Sequence, residues 1–216
     1  MNQKYLFGIV AAMMVVAFIA AAMFHGSGKG GGKASQPVAN AAALVREQAP
    51  SLGASDARVH IVEFFDPACE TCREFYPFVK KLMAAAPARV RLTMRYAPFH
   101  DGSDQLVRML EAARLQGKFW ETLEAMYGSQ ANWTDGHRAR PEVAWNYIGG
   151  VGLDIEKLKA DMSSAPVEAA IRQDMHDAQM LNVTMTPEFF VNGRPMPSFG
   201  YDQLKGLVAE ELKAAY

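Results

Sequence analysis

Cysteine is scarce in this chain, since its 216 residues contain only two. A structural zinc site built from four cysteines of one chain is therefore excluded. The two cysteines, Cys69 and Cys72, lie three positions apart. A disulfide between them would close a very short loop and remove little entropy from the unfolded chain. Chemistry at the sulfur atoms explains the pair better than a role in stability does.

An excess of charge of either sign is also missing. The chain has 22 basic and 23 acidic side chains, a formal net charge of -1, and no basic stripe that would predict a nucleic-acid partner. No internal repeat is visible. With the ends removed, roughly 160–180 residues remain, which suits one domain or one domain with an insertion. The composition therefore favours a single globular unit.

Residues 1–25 include an apolar run at 5–24 that carries no charged side chain. Its length matches the roughly 20 residues that a helix needs to cross a bilayer, whereas the apolar region of a signal peptide is usually shorter. The alanines at 20–22 also suit a signal peptidase. The run predicts a single N-terminal transmembrane anchor, with a cleaved signal as the alternative, and both export the rest of the chain. Residues 26–50 predict a flexible, glycine-rich linker and a short helix.

Residues 51–216 predict one α/β domain. An apolar run indicates a strand at 58–65, and alternation of apolar and polar residues indicates a second at 89–96. The Asn-Gly pair at 192–193 indicates a hairpin between two further strands. Helical spacing fills most of the interval from about 103 to 182. The order strand, helix, strand, helical block, hairpin and helix predicts a small α/β unit with an inserted helical subdomain.

Cys69 and Cys72 open a helix directly after an apolar strand. At a helix N-terminus, free N–H groups and the positive end of the helix dipole favour the thiolate of the first cysteine. The second cysteine, one turn later, can form a disulfide with the first or resolve a mixed disulfide. This position favours redox chemistry over a metal half-site shared between two chains or an inert bridge. Pro77 predicts a kink in the same helix.

Two motifs, VEFFDPACETCREF and the later TPEFFVNG, together resemble the DsbA-like branch of the thioredoxin superfamily. The resemblance covers roughly residues 55–216, including the helical block, and implies a thioredoxin-like fold. It implies that Cys69 attacks and Cys72 resolves. It also implies that Pro187 is a cis-proline lying against the disulfide. Thr186 would then offer backbone groups to an extended substrate segment.

Glu63 lies six residues before Cys69 and resembles the acidic residue that members of this branch bury beneath the active site. Its apolar neighbours on the predicted strand also indicate a buried carboxyl with a raised pKa, which passes protons near neutrality. Such a group would help Cys72 lose its proton. The alternatives are an exposed residue on an edge or a bend, or a salt bridge with a lysine.

The dipeptide between the cysteines bears on the direction of exchange. Strongly oxidising relatives often place a histidine next to the second cysteine, where this chain has Thr71. A carboxylate at Glu70 is expected to oppose the Cys69 thiolate and to make the disulfide more stable, hence less oxidising. The direction of the reaction stays open at this point.

Histidines and methionines are the remaining candidate ligands. The histidines are far apart in sequence with no ligand spacing between them, so solvated or hydrogen-bonded roles are predicted, with His100 close to the active face. The methionines around the proline loop predict core packing, with a substrate-facing groove or copper binding as alternatives. No metal or cofactor is expected. The residues in question are His60, His100, His137, His176, Met175, Met180, Met185 and Met196.

These features predict an extracytoplasmic thiol:disulfide oxidoreductase on the periplasmic side of the bacterial inner membrane. It would exchange disulfides with exported proteins, most simply as a monomeric DsbA-like oxidase served by a membrane redox partner. A reductase or isomerase of the same fold is an alternative, although no dimerisation domain is visible. A non-enzymatic tethered chaperone or adaptor and a copper-handling protein are the alternatives from other classes.

Overall fold

A five-stranded mixed sheet with the strand order β1-β3-β2-β6-β7 lies at the centre of the computed structural model, which describes residues 35–216. A separate two-stranded hairpin consists of β4 and β5. The strands are β1 (Ser51–Leu52), β2 (Val59–Phe65), β3 (Val90–Tyr96), β4 (Thr134–Asp135), β5 (Arg138–Ala139), β6 (Glu188–Val191) and β7 (Arg194–Pro195).

The two central strands, β2 and β3, are almost wholly buried, as expected for a sheet covered on both faces. They pair in parallel from Val59 opposite Val90 to Phe65 opposite Tyr96. On its other side β2 pairs with β6 in antiparallel orientation, and Glu63 lies opposite Phe189. Both strands begin one residue later than predicted and end at the predicted residue.

Seven α-helices occur within residues 35–216. Five of them, α2 to α6, follow one another between β3 and β6, which confirms the predicted helical insertion into a thioredoxin-like α/β fold. The helices are α1 (Glu70–Ala85), α2 (Ser103–Leu115), α3 (Phe119–Trp133), α4 (Pro141–Ile148), α5 (Ile155–Asp161), α6 (Ala165–Met180) and α7 (Tyr201–Ala215).

Helix α1 carries the cysteine pair at its first turn and continues through Pro77 to Ala85. Its buried side includes Cys72, Phe75 and Tyr76, at spacings that place them on neighbouring positions of one helix face. The ring of Phe75 stacks on that of Tyr201 from α7, with 4.2 Å between the ring centroids. Packing against α7 therefore fixes the helix that presents the cysteines.

The chain before β1 is fastened to the domain by Arg95 of β3. The guanidinium of Arg95 is fully buried and donates to the backbone carbonyls of Ala43 and Leu44, each at 2.8 Å. It also donates to the carboxylates of Asp174 and Asp177 on α6, at 2.9 and 2.6 Å. A buried charge is tolerated when it is paired and fully hydrogen-bonded, as here.

The short helix predicted before the domain is a single 3-10 turn, Ala41–Ala43. The apolar run at 5–24, predicted to be a membrane anchor, lies outside the described residues. Among the helices of residues 35–216, none combines the length and the apolar character needed to cross a membrane.

Candidate active site

Cys69 occupies the N-cap of α1 with an extended backbone, so its side chain reaches back over the first turn. Its sulfur accepts a hydrogen bond from the backbone N–H of Cys72 at 3.4 Å and donates to the carbonyl of Thr186 at 3.3 Å. Both cysteines are free thiols. The first turn of a helix has N–H groups without helical partners, and the Cys69 sulfur takes one of them.

The two thiols have opposite acidity. The side-chain hydrogen bond with Cys72 lowers the pKa of Cys69 to about 6, helped by N–H groups of the first turn and by Thr186 and opposed by burial. The thiolate of Cys69 therefore predominates at pH 7. Burial raises the pKa of Cys72 well above its ordinary value, with the Cys69 hydrogen bond and the charge of Glu63 adding to the effect. One cysteine is a ready nucleophile, and the other keeps its proton.

The Thr186–Pro187 peptide bond is cis, and its loop lies against the cysteine pair through the contact between Thr186 and Cys69. An apolar groove of about 200 Å³ runs beside this loop. Core packing, predicted for the methionines here, is wrong for Met180 and Met185, whose side chains are 48% and 58% exposed. The groove is lined mainly by Met185, Pro187, Phe189, Met196 and Phe199.

Glu63 is fully buried on β2, between Met94 of β3 and Phe189 of β6 in the sheet register. Neither oxygen of its carboxyl has a hydrogen-bond partner among residues 35–216. Burial, and then the charge of Cys69, raise the pKa of this carboxyl well above its ordinary value. The apolar context seen in the sequence therefore corresponds to a buried, proton-holding group near the thiols.

Asp66 was not singled out in the sequence, but it binds several backbone and side-chain groups at the site. Its carboxylate accepts from the backbone N–H groups of Ala68, Phe99 and His100 at 2.7–2.9 Å and from the Ser103 hydroxyl at 2.6 Å. The Nδ1 atom of His100 lies 2.7 Å from the same carboxylate. The contact with Ala68 is a common turn pattern, in which an aspartate binds a backbone N–H two residues later. The contacts with Phe99, His100 and Ser103 join residues far apart in the chain, so no local pattern predicts them.

Gln130 of α3 is a second residue that the sequence did not reveal. Its side-chain amide donates to the backbone carbonyls of Pro67 and Cys69, at 2.8 and 3.1 Å. The helical insertion thus holds the turn that carries Cys69. A glutamine inside a helix is common, and nothing in the local sequence indicates this contact.

Two histidines that lie 37 positions apart in sequence meet in space. The rings of His100 and His137 stack with 5.3 Å between their centroids. The Nδ1 atom of His137 lies 3.2 Å from the carboxylate of Glu70. Glu70 therefore faces an imidazole, and it is not among the principal groups that set the pKa of Cys69. The expected opposition between the Glu70 charge and the Cys69 thiolate stays a prediction.

Comparison with known proteins adds the family. A family model described as Thioredoxin matches residues 46–210, most of the chain. The chain belongs to the thioredoxin family. Within that family, the helices inserted between β3 and β6 place its fold in the DsbA-like branch.

Solved structures of thioredoxin-family proteins agree with this assignment. A thioredoxin-like oxidoreductase from Silicibacter pomeroyi DSS-3 is 34% identical with a TM-score of 0.70, over 82% of this chain and 100% of that one. BdbD from Bacillus subtilis has 24% identity and a TM-score of 0.69, over 83% and 97% of the two chains. DsbA from Xylella fastidiosa has 20% identity and a TM-score of 0.62, over 79% and 97%. The similarities to BdbD and to DsbA show that these proteins share the fold of this chain.

Curated relatives of similar sequence are much longer proteins. The Na(+)/H(+) antiporter NhaA of Herminiimonas arsenicoxydans is 31% identical over 142 residues, which are 66% of this chain but 22% of that protein. NhaA 3 of Salinispora tropica is 30% identical over 145 residues, with 66% and 21% covered. The thioredoxin-family chain spans about a fifth of these relatives. The antiporter activity in their names is that of the whole proteins.

Proposed function

We propose that this chain is an extracytoplasmic thiol:disulfide oxidoreductase that exchanges disulfides with exported proteins through Cys69 and Cys72. The supporting observation is the Cys69 sulfur, which has a pKa of about 6 at the N-terminus of α1 and lies 3.3 Å from the carbonyl of Thr186. A thiolate at neutral pH beside a second, protonated thiol is the arrangement that forms and resolves mixed disulfides.

The acidity of Cys69 favours disulfide donation. In that direction a substrate thiolate attacks the sulfur of Cys69, the Cys69–Cys72 bond breaks, and Cys72 leaves with the electron pair. Because the pKa of Cys72 is strongly raised, its sulfur takes a proton, which the carboxyl of Glu63 supplies. A second substrate thiolate then attacks the substrate sulfur of the mixed disulfide. The substrate disulfide forms, and Cys69 departs as a stable thiolate.

Two electrons pass from the substrate to the cysteine pair in this cycle, so the dithiol must be reoxidised. We assign that step to a membrane redox partner, as disulfide oxidases of the resembled branch require. The lowered pKa of Cys69 stabilises the dithiol state and thereby makes the disulfide more oxidising. A periplasmic reductase or isomerase would break and form the same bonds in the opposite direction of exchange. It is the second candidate function.

The loop at Thr186–Pro187 is the proposed substrate-binding segment. The backbone of Thr186 already engages the Cys69 sulfur, and an extended peptide would add to this edge through main-chain hydrogen bonds. The exposed Met185 and Phe199 beside it offer apolar contacts to a substrate side chain. The same groove is the observation that favours the alternative of a non-enzymatic tethered chaperone or adaptor.

The predicted N-terminal anchor, residues 1–25, completes the proposal by keeping a monomeric domain on the periplasmic side of the inner membrane. Reading the run as a cleaved signal changes only the tether, since the domain is exported either way. The site and its chemistry lie wholly within the described residues.

The decisive experiment mixes the oxidised full chain with a reduced dithiol peptide and follows peptide oxidation. Wild type is expected to transfer one disulfide per chain, and Cys69→Ala is expected to transfer none. The reduced Cys72→Ala variant, mixed with the oxidised peptide instead, is expected to accumulate a mixed disulfide, because the Cys69 thiolate attacks the peptide disulfide and no second cysteine resolves the product; the mixed disulfide is visible as a mass increase. Full cellular function of Cys69→Ala would contradict the proposal and support a chaperone or adaptor. A strongly reducing potential of the pair against glutathione would instead identify a reductase.

A further inference from the structure

Polar atoms without partners are concentrated near the cysteine pair. Among residues 35–216, both carboxyl oxygens of Glu63, the hydroxyl of Tyr127 and the side-chain carbonyl of Gln130 are buried and make no hydrogen bond. Buried polar groups in native proteins almost always have a partner, either in the protein or in ordered water. Glu63 belongs to the sheet, whereas Tyr127 and Gln130 belong to α3 of the insertion.

The position of α3 brings Tyr127 to the thiols. Gln130 follows Tyr127 by three residues and so projects from the same helix face, and its amide binds the carbonyl of Cys69 at 3.1 Å. The ring of Tyr127 also lies 5.6 Å from that of Tyr76. Tyr76 follows Cys72 by four residues on α1, on the same face. Tyr127 is therefore held against the face of α1 that carries the second cysteine.

The ionisable groups that principally raise the pKa of Tyr127 are all acidic. Burial raises the pKa of its phenol well above the ordinary value, and the charges that add to this are those of Cys72, Glu63, Cys69 and Asp66. No cation is among them. The hydroxyl therefore keeps its proton throughout the physiological range, which makes it a permanent hydrogen-bond donor beside groups that gain and lose negative charge.

We propose that Tyr127 is a positioning residue that acts through Glu63. Its hydroxyl donates a hydrogen bond, directly or through one ordered water, to the carboxylate that remains when Glu63 has given its proton to Cys72. The inference rests on the proposed function, in which the Cys69–Cys72 bond breaks and Cys72 leaves with the electron pair. No co-reactant is needed, because the proton moves only from the carboxyl oxygen to the leaving sulfur.

The physical need for such a donor follows from the sheet. The neighbours of Glu63 in the register, Met94 and Phe189, are apolar and cannot stabilise a carboxylate. A buried carboxylate without a cation or a donor is strongly disfavoured, which would slow the proton transfer that the leaving sulfur requires. One hydroxyl that is already buried and unpaired supplies the missing donor without any further desolvation.

The first test measures the titration of the Glu63 carboxyl by carbon-13 NMR in the reduced full chain. Tyr127→Phe is expected to raise the pKa of Glu63 by about one pH unit, because the ionised form loses its donor. The matched control is Tyr76→Phe, which removes a hydroxyl from the adjacent ring. That hydroxyl donates to Glu124, a half-exposed side chain, so the pKa of Glu63 should stay unchanged. An unshifted Glu63 titration in Tyr127→Phe would overturn the proposal.

The second test measures the rate at which a dithiol peptide reduces the Cys69–Cys72 disulfide in one turnover between pH 5 and pH 9. Tyr127→Phe is expected to slow this step about tenfold at pH 7, and Tyr76→Phe to leave it unchanged. In a Glu63→Gln background, Tyr127→Phe should cause no further loss, since it acts through the missing carboxyl. Additive losses would contradict the proposal. If wild type exchanged no disulfides, the proposed function would fail, and the NMR titration would still decide the role of Tyr127.

Discussion

The carboxyl groups of Glu63 and Asp66 lie three residues apart and are both fully buried, yet their surroundings are opposite. Asp66 accepts five polar contacts of hydrogen-bond length, whereas Glu63 accepts none among residues 35–216. The difference follows from the backbone. A central strand uses its N–H groups for its neighbours, so the Glu63 side chain meets only other side chains. A turn and a loop leave N–H groups free, and Asp66 collects them.

This contrast separates structure from chemistry within one short segment. Asp66 is bound in a fixed network that joins the turn before α1 to the loop before α2. Glu63 has no such network, so its proton is held by the cost of burying a charge and by the charge of Cys69, and it can be given up when a stronger base forms nearby. Two equally buried carboxyl groups can therefore have different roles, because the number of hydrogen-bond donors around each one differs.

The largest expected effect comes from removing the network. Asp66→Ala leaves several buried donors without an acceptor and is expected to lower the free energy of unfolding by about 3 kcal/mol, as measured by urea denaturation. Asp66→Asn keeps one acceptor oxygen and is the matched control, with a smaller loss expected. A loss below about 1 kcal/mol for Asp66→Ala would mean that the two carboxyl groups differ less than their contacts indicate.

A second prediction concerns how stability depends on pH. The pKa of Glu63 is raised in the folded state. The favourable contribution of Glu63 to the free energy of unfolding is therefore complete at pH values below its unfolded-state pKa, and it is lost as the pH rises toward its folded-state pKa. Relative to Glu63→Gln, wild type is expected to lose about 1.4 kcal/mol of unfolding free energy per pH unit in that window. Urea denaturation of both chains at pH 4 and pH 8 measures the difference. Parallel pH profiles would show that Glu63 is not held in its protonated form.

The smallest predicted effect couples the cysteine to the carboxyl. After burial, the charge of Cys69 is what raises the pKa of Glu63, so Cys69→Ser should lower that pKa by a fraction of a pH unit. Carbon-13 NMR of the Glu63 carboxyl reports the shift directly. Thr71→Ser, which leaves both thiols in place, serves as the control. If the pKa of Glu63 were the same in Cys69→Ser as in wild type, the carboxyl would lie outside the electrostatic range of the Cys69 sulfur.

The two central strands were predictable because β2 is a nearly continuous apolar run and β3 alternates apolar with polar residues. The buried state of Glu63 followed from the same run, since a side chain within it has nowhere polar to go. Helix α1 was also predictable, and it passes through Pro77 to Ala85 because packing against α7 holds both halves in place. These features depend on the local sequence and on its pattern of apolar residues.

The contacts that refine the site could not be predicted in this way. Gln130 reaches the active-site turn, and His137 reaches His100, only because the helical insertion folds back over the sheet. The same docking brings the Nδ1 atom of His137 to 3.2 Å from the carboxylate of Glu70. Such placements depend on the relative position of elements that are far apart in the chain, and no local spacing encodes that position.

The guanidinium of Arg95 connects parts of the molecule that the order of elements would treat as separate modules. It projects from the sheet, yet its acceptors belong to the segment before β1 and to the insertion helix α6. If the insertion came away while the sheet stayed folded, a charge with no exposed surface would lose its partners. The sheet and the helical block should therefore melt together in one cooperative calorimetric transition rather than in two.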